Sequence, residues 1–250
     1  MKKRKILNKK IITKAEKKLI SAIILIGDKN ICDEFKTIID KTDIKILDFK
    51  KSTPKSVRSY DLICAFEFTN TNLESKKKNL GAIDRLIPKS IPIISSSISV
   101  TISTQSNWIK NSEKLIGVSA FPTLISNRLI EIAPGVKTNK KILESVREIF
   151  AKLGKETVVV QDRIGMVMPR ILAQIINEAF FAIQQNIALP KDIDLAMKLG
   201  ANYATGPIEW GEKIGFEQIE IVLKSMFEET REERYKISPL LIQFVEMRKN

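Results

Sequence analysis

Histidine is absent from the 250 residues, and cysteine occurs only as Cys32 and Cys64. Two thiols and no imidazole exclude a disulfide framework and the usual Cys/His ligand sets of zinc, so no metal centre is expected. Scarce thiols suit a reducing compartment, and the chain is expected in the cytoplasm. Imidazole is the one side chain whose ordinary pKa falls between pH 5 and 8, so proton transfer near neutrality has to come from another group. Long apolar runs are missing too. Leu19 to Gly27, behind a basic stretch, imitates a secretory signal, but no small-x-small cleavage site precedes Asp28. The run reads instead as a buried first strand. Met166 to Leu189 contains Arg170, Glu178, Pro169 and the amides Gln174, Asn177, Gln184, Gln185 and Asn186. That mixture suits a helix buried in protein rather than in lipid, and no membrane association is expected.

What is present is ordinary globular composition, 44% hydrophobic and 28% charged, sufficient for one large core or two modest ones. The net charge of +13 resembles a nucleic-acid footprint until it is located. Met1 to Ile20 holds nine Lys/Arg against Glu16, and so supplies +8 of it. Such an arm can bind nucleic acid or an anionic membrane, or can simply be a solvated terminus. No recognisable nucleic-acid motif follows it, and nucleic acid is not the expected partner.

From Ser21 to about Val160, short β-branched runs alternate with helical stretches, as in an α/β fold around a mostly parallel sheet. Strands are predicted at Ala22 to Ile26, Ile44 to Leu47, Leu62 to Ala65, Pro92 to Ser95, Leu115 to Val118, Arg128 to Ile132 and Thr157 to Val160. Ile142, Val146, Ile149, Phe150 and Leu153 recur at helical spacing, with Thr138 as the expected cap and Gly154 as the stop. After Asp162 every segment reads helical: Met166 to Ile187, Lys191 to Leu199, Ile208 to Lys213, Phe216 to Thr230 and Leu240 to Lys249. A boundary near 161–165 divides the chain into a basic tail (1–20), an α/β domain (21–162) and an all-α domain (163–250). On the first long helix Met168, Leu172, Ile175, Ile176, Ala179 and Ile183 form an apolar stripe. Phe180 and Phe181 widen it beyond one core face, which suggests self-association.

The stretch Asn177 to Phe216, with Asn177-Glu178-Ala179, Asp192-Ile193-Asp194, Met197 to Gly200 and Gly206-Pro207, resembles the C-terminal domain of the 3-hydroxyacyl-CoA dehydrogenases. Pro239-Leu240-Leu241 fits the same pattern. Weaker likeness runs through Leu73 to Ser97, Ile116 to Ile132 and Lys152 to Arg170. The resemblance implies a Rossmann-like NAD domain, a helical domain that forms a homodimer, and an acyl-CoA or related thioester as ligand.

In that family a histidine takes the hydroxyl proton while hydride leaves for NAD, and a glutamate orients the imidazole. The likeness places Ser119 at the histidine and Glu131 at the glutamate. Ser96 fits the active-site serine, and equally a turn serine. Pro122 and Pro169 stand where the family has asparagines. A dinucleotide fingerprint needs three glycines; here the positions read Gly27, Lys29 and Cys32, and Lys29 would crowd a pyrophosphate. Asp48, at a strand end, could hold a ribose hydroxyl or be a solvated aspartate. Lys50, Lys51, Lys55 and Arg58, in the short Phe49 to Tyr60 connection, could meet CoA phosphates or simply face water.

Three functions stay open: a dehydrogenase working through a substitute base, a silent relative that binds an acyl thioester or a partner, and a nucleic-acid binder driven by the tail. The last has a direct check. Deleting Met1 to Lys18 should leave the circular dichroism spectrum unchanged and abolish any retention on DNA; retained binding would place the basic surface elsewhere.

Overall fold

The computed structural model describes residues 19–248, so the tail expected to carry the excess charge lies almost entirely outside the described residues. Leu19 and Ile20 are exposed, and the first strand starts at Ser21.

The first domain runs β1 (Ser21–Gly27), α1 (Lys29–Ile39), β2 (Lys45–Leu47), α2 (Pro54–Val57), β3 (Asp61–Phe68), α3 (Leu73–Leu86), β4 (Ile93–Ser96), α4 (Ile102–Gln105), β5 (Leu115–Val118), β6 (Leu129–Pro134), α5 (Lys140–Lys152) and β7 (Glu156–Val159). The strands form one sheet in the order β2-β1-β3-β4-β5-β6-β7, parallel except where β5 meets β6. All seven predicted strands are present. The chain leaves β1 for β2 on one side and returns to β3 on the other. That reversal opens the crevice at which doubly wound sheets bind ligands, beyond the carboxyl ends of β1 and β3.

Side chains on a strand alternate between faces, so Ile23 packs with α1 and α5 while Ala22 and Ile24 pack with α2, α3 and α4. The pairing of β1 with β3 slips between Ala22/Leu62 and Ile23/Cys64, leaving Ile63 as an extra residue. Ile63 and Cys64 therefore both serve the α1/α5 face, beside an edge-to-face cluster of Phe35, Phe66, Phe68 and Phe150. Burial pushes the Cys32 thiol up to about 12 and Cys64 higher still, so both stay protonated and unreactive. The α5 cap is Asn139, whose Oδ1 accepts from Lys141 N, rather than Thr138; the Thr138 hydroxyl instead donates to Leu115 O. The Phe49 to Tyr60 connection contains the short α2, closed by a Thr53/Ser56 capping box.

The second domain comprises α6 (Met168–Gln184), α7 (Pro190–Gly200), α8 (Pro207–Ile214), α9 (Phe216–Thr230) and α10 (Pro239–Met247). No helix among the described residues is long and apolar enough to cross a membrane. On α6 the buried face is Leu172, Ala173, Ile176, Ala179 and Phe180; Met168, expected in the stripe, is 41% exposed. Phe180, Phe216 and Phe244 stack edge to face, and Ile98, Phe121 and Leu124 of the first domain enter the same core. The two domains therefore share a continuous apolar contact.

Residues that carry the family likeness have structural work here. Asn177 accepts from Ser238 N and donates to Lys236 O, fastening α6 to the segment before α10. Asp194 on α7 accepts from Ile208 N and Glu209 N, capping α8 from outside. A side chain at Gly206 would come within 2.3 Å of the Asp194 carboxylate, so only glycine admits that approach. Asp194→Ala should cost about 1 kcal/mol, as helix caps do. In a thermal melt that corresponds to roughly 2–4 °C; an unchanged midpoint would show the cap to be idle.

Candidate functional site

The crevice between β1 and β3 is lined by the chain's own polar groups, with Asp28, Lys29, Thr71 and Gln218 around a cavity of about 440 Å³. Gly27 ends β1 at φ +148°, and a Cβ there would lie 2.4 Å from the Phe68 backbone carbonyl carbon, so the close approach of β3 requires glycine. The next residue, Asp28, accepts from Asn70 N at 2.9 Å, Thr71 N at 3.1 Å and Thr71 Oγ1 at 2.8 Å. Gln218 on the first turn of α9 donates to it at 3.4 Å. Asn70 Nδ2 in turn donates to Gln218 Oε1 at 3.1 Å and to Ala120 O at 2.9 Å. Ser96 Oγ donates to Asn70 Oδ1 at 2.6 Å. A single hydrogen-bonded chain thus runs from Ser96 at the end of β4, through Asn70, to Asp28 and the second domain. Asn70, Ser96 and Gln218 are buried.

Ser119 and Glu131 are neighbours across the antiparallel β5/β6 pair, where Ser119 N donates to Glu131 O at 3.1 Å. Both are 5% exposed. The Glu131 carboxylate turns to the second domain and accepts from Val167 N at 2.8 Å and Met168 N at 2.7 Å, closing the start of α6. Both its oxygens are engaged by backbone amides. The loop after Ser119 is also tied down. Glu34 of α1 accepts from Thr123 N and Ser126 N, and Trp210 Nε1 of α8 donates to Thr123 Oγ1 at 3.1 Å. Pro122 lies buried in this loop and Pro169 in the first turn of α6.

Ser96, Ser119 and Glu131 thus sit on the adjacent strand ends β4, β5 and β6, with Gly27 across β3 from them. Asp48 lies further out, beyond Leu47, whose partner in β1 is Ile24. It caps the one-turn helix Phe49–Lys51 through Lys50 N and pairs with Lys51 at 3.7 Å. Lys50, Lys51, Lys55 and Arg58 are exposed. Asp28, Asn70 and Gln218 were not expected from the sequence. Asp28 stands at a helix N-cap position, a readable signal, whereas nothing local marks Gln218.

Two sequence profiles of one family cover the chain: the 3-hydroxyacyl-CoA dehydrogenase NAD binding domain over residues 8–163 and the C-terminal domain over residues 165–250. The chain belongs to the 3-hydroxyacyl-CoA dehydrogenase family. Relatives include the 3-hydroxybutyryl-CoA dehydrogenase of Clostridioides difficile, 28% identical over 82% of this chain and 73% of its own. A probable 3-hydroxybutyryl-CoA dehydrogenase of Bacillus subtilis (strain 168) is 26% identical over 85% and 71%. Among solved structures, Mycobacterium tuberculosis FadB2 superposes with a TM-score of 0.78 at 17% identity, covering 92% of this chain and 94% of the other. The (S)-3-hydroxybutyryl-CoA dehydrogenase of Ralstonia eutropha gives 0.74 at 22%, with the same coverages.

The first domain is therefore an NAD-binding-type domain, and its residues can be tested against the cofactor. A 3-hydroxyacyl-CoA dehydrogenase fingerprint leaves the first helix N-terminus open to a pyrophosphate, whose charge is favoured there by unpaired amides. Here the Asp28 carboxylate lies at that end and would repel a second anion. Lys29 carries a side chain where the fingerprint has glycine and bends along α1 to pair with Asp33 at 2.6 Å. Cys32, at the third glycine position, is packed into the core. These residues do not fit a dinucleotide in the fold's usual seat. Among the described residues no cluster of three or more His, Cys, Asp or Glu converges on a metal position. Titration with NADH should produce no fluorescence enhancement; saturable binding at micromolar concentration would contradict the misfit.

Proposed function

We propose that this family member does not perform NAD-linked oxidation of 3-hydroxyacyl-CoA and acts as a binding protein for an acyl thioester, working as a homodimer in the cytoplasm. The observation that carries this reading is the Asp28–Asn70–Gln218 chain, which puts a carboxylate at the start of α1, where a dinucleotide's pyrophosphate would sit. The proton acceptor is missing as well. Ser119 cannot take up a proton near neutrality, and the Glu131 oxygens are bound to the α6 backbone. Loss of a general base alone lowers such rates roughly 10²- to 10⁴-fold.

Support for a retained ligand comes from a cavity of about 560 Å³ beside α6, within the size range of small-molecule sites. Met168, Ile171, Leu172, Ile175 and Trp210 give it an apolar wall suited to an acyl chain, and Lys213, paired with Glu209 at 2.8 Å, also lines it. Pairing is supported by α7, which buries none of its residues within the protomer and leaves Leu195 and Leu199 exposed, as are Ile187 and Leu189 just before it. Apolar surface collected in this way marks an association face. The free, buried cysteines accord with a reducing setting.

Two measurements test the proposal. Acetoacetyl-CoA with NADH should show no turnover above background, and robust NADH oxidation would sink it. In a Trp108→Phe variant, Trp210 is the remaining tryptophan. Its emission should shift saturably as acetoacetyl-CoA is added; a flat titration would remove the acyl thioester from the reading.

A further inference from the structure

A second cavity, of about 600 Å³, lies where the linker after β7 passes the first turn of α6, the end of α9 and the one-turn helix Glu233–Tyr235. Its charged lining is Arg163, Arg170 and Arg234 against Glu229, a formal balance of +3 − 1 = +2. Arg170 is half-buried, yet both its guanidinium contacts are to neutral acceptors, Tyr235 OH and Ile164 O at 2.6 Å. Among the described residues no carboxylate lies within ion-pair distance of Arg170 or Arg163; Arg234 alone has one, Glu232 at 2.5 Å. The buried Tyr235 ring sits beneath two of these cations, Arg234 at 4.7 Å and Arg170 at 5.4 Å from its centre.

A partly desolvated guanidinium without a counter-charge is costly, and an aromatic face offsets only part of that cost. An oxyanion seated among the arginine forks would remove the remainder through paired, charge-assisted hydrogen bonds. The rest of the wall is apolar, from Val160, Met166 and Val167, so the space exceeds what a bare ion needs. We infer that this cavity binds a small organic metabolite through a terminal phosphate or carboxylate group. The site is separate from the crevice and from the apolar cavity beside α6, and it does not depend on how those are used. It also differs in kind from Lys50, Lys51 and Lys55 of the Phe49 to Tyr60 connection, which are exposed.

The test is calorimetric titration of the full chain with inorganic pyrophosphate and, separately, with succinate. At least one probe should bind saturably with a Kd of about 1 mM or tighter; pyrophosphate alone would assign the phosphate class and succinate alone the carboxylate class. Arg163→Ala with Arg234→Ala, both at exposed positions, should weaken that binding roughly tenfold or more while the thermal midpoint holds. Arg170→Lys, which keeps the charge and loses the fork, should weaken it as well. Lys50→Ala with Lys51→Ala should leave it unchanged. Absence of saturable heat with either probe would overturn the inference, and so would wild-type affinity in the double arginine variant, which would locate the anion on the basic tail or another surface.

Discussion

One carboxylate, Asp28, stands where the two halves of the sheet and the two domains meet. It leaves β1 at its carboxyl end and gathers two backbone amides and a hydroxyl from the segment after β3, together with the Gln218 amide of α9. Hydrogen bonds to a charged group contribute about 1.5–3 kcal/mol each where they are shielded from water, and less where they are open to it. Even discounted, the set fixes the β3–α3 connection and α9 against β1. With Ile98, Phe121 and Leu124 inside the second domain's core, the two domains are joined by apolar as well as polar contacts.

The same device recurs. Glu131 holds the first amides of α6, Asp194 those of α8, Asp162 those of α4 through Ile102 N and Ser103 N, and Glu34 the loop at Thr123 and Ser126. In each case an acid distant in sequence supplies acceptors that a helix or loop start lacks. A carboxylate committed in this way has little freedom to turn to another partner, because moving it would release two amides at once. Glu131 is such a carboxylate, with one oxygen on Val167 N and the other on Met168 N.

The sheet, its seven strands and the helical domain were legible because strand alternation and helical spacing are local, and because Gly and Pro mark the breaks. The family was legible from Asn177 to Phe216 for the same reason. Detail failed where tertiary contacts decide. Thr138 and Asn139 are both competent caps, and only the contact of Thr138 with Leu115 O assigns the cap to Asn139. Met168 has the period of the buried stripe, yet it begins the helix at Glu131 and turns toward the cavity. The polar chain through Asn70 and Gln218 joins residues 148 positions apart, and no local pattern carries such a pairing.

This division also separates residues that the fold itself demands from residues that it does not. Removing Asn177 would strand a buried amide at Ser238 and a carbonyl at Lys236, and removing Asp194 or enlarging Gly206 would unseat α8. Each loss costs folding free energy whether or not any ligand is present, since buried polar groups left unpaired carry about 1–3 kcal/mol. Ser119, by contrast, joins β5 to β6 through its backbone N–H, which any residue but proline supplies. Asn177, Asp194 and Gly206 are therefore demanded by the fold, whereas the backbone pairing at Ser119 sets no requirement on its side chain.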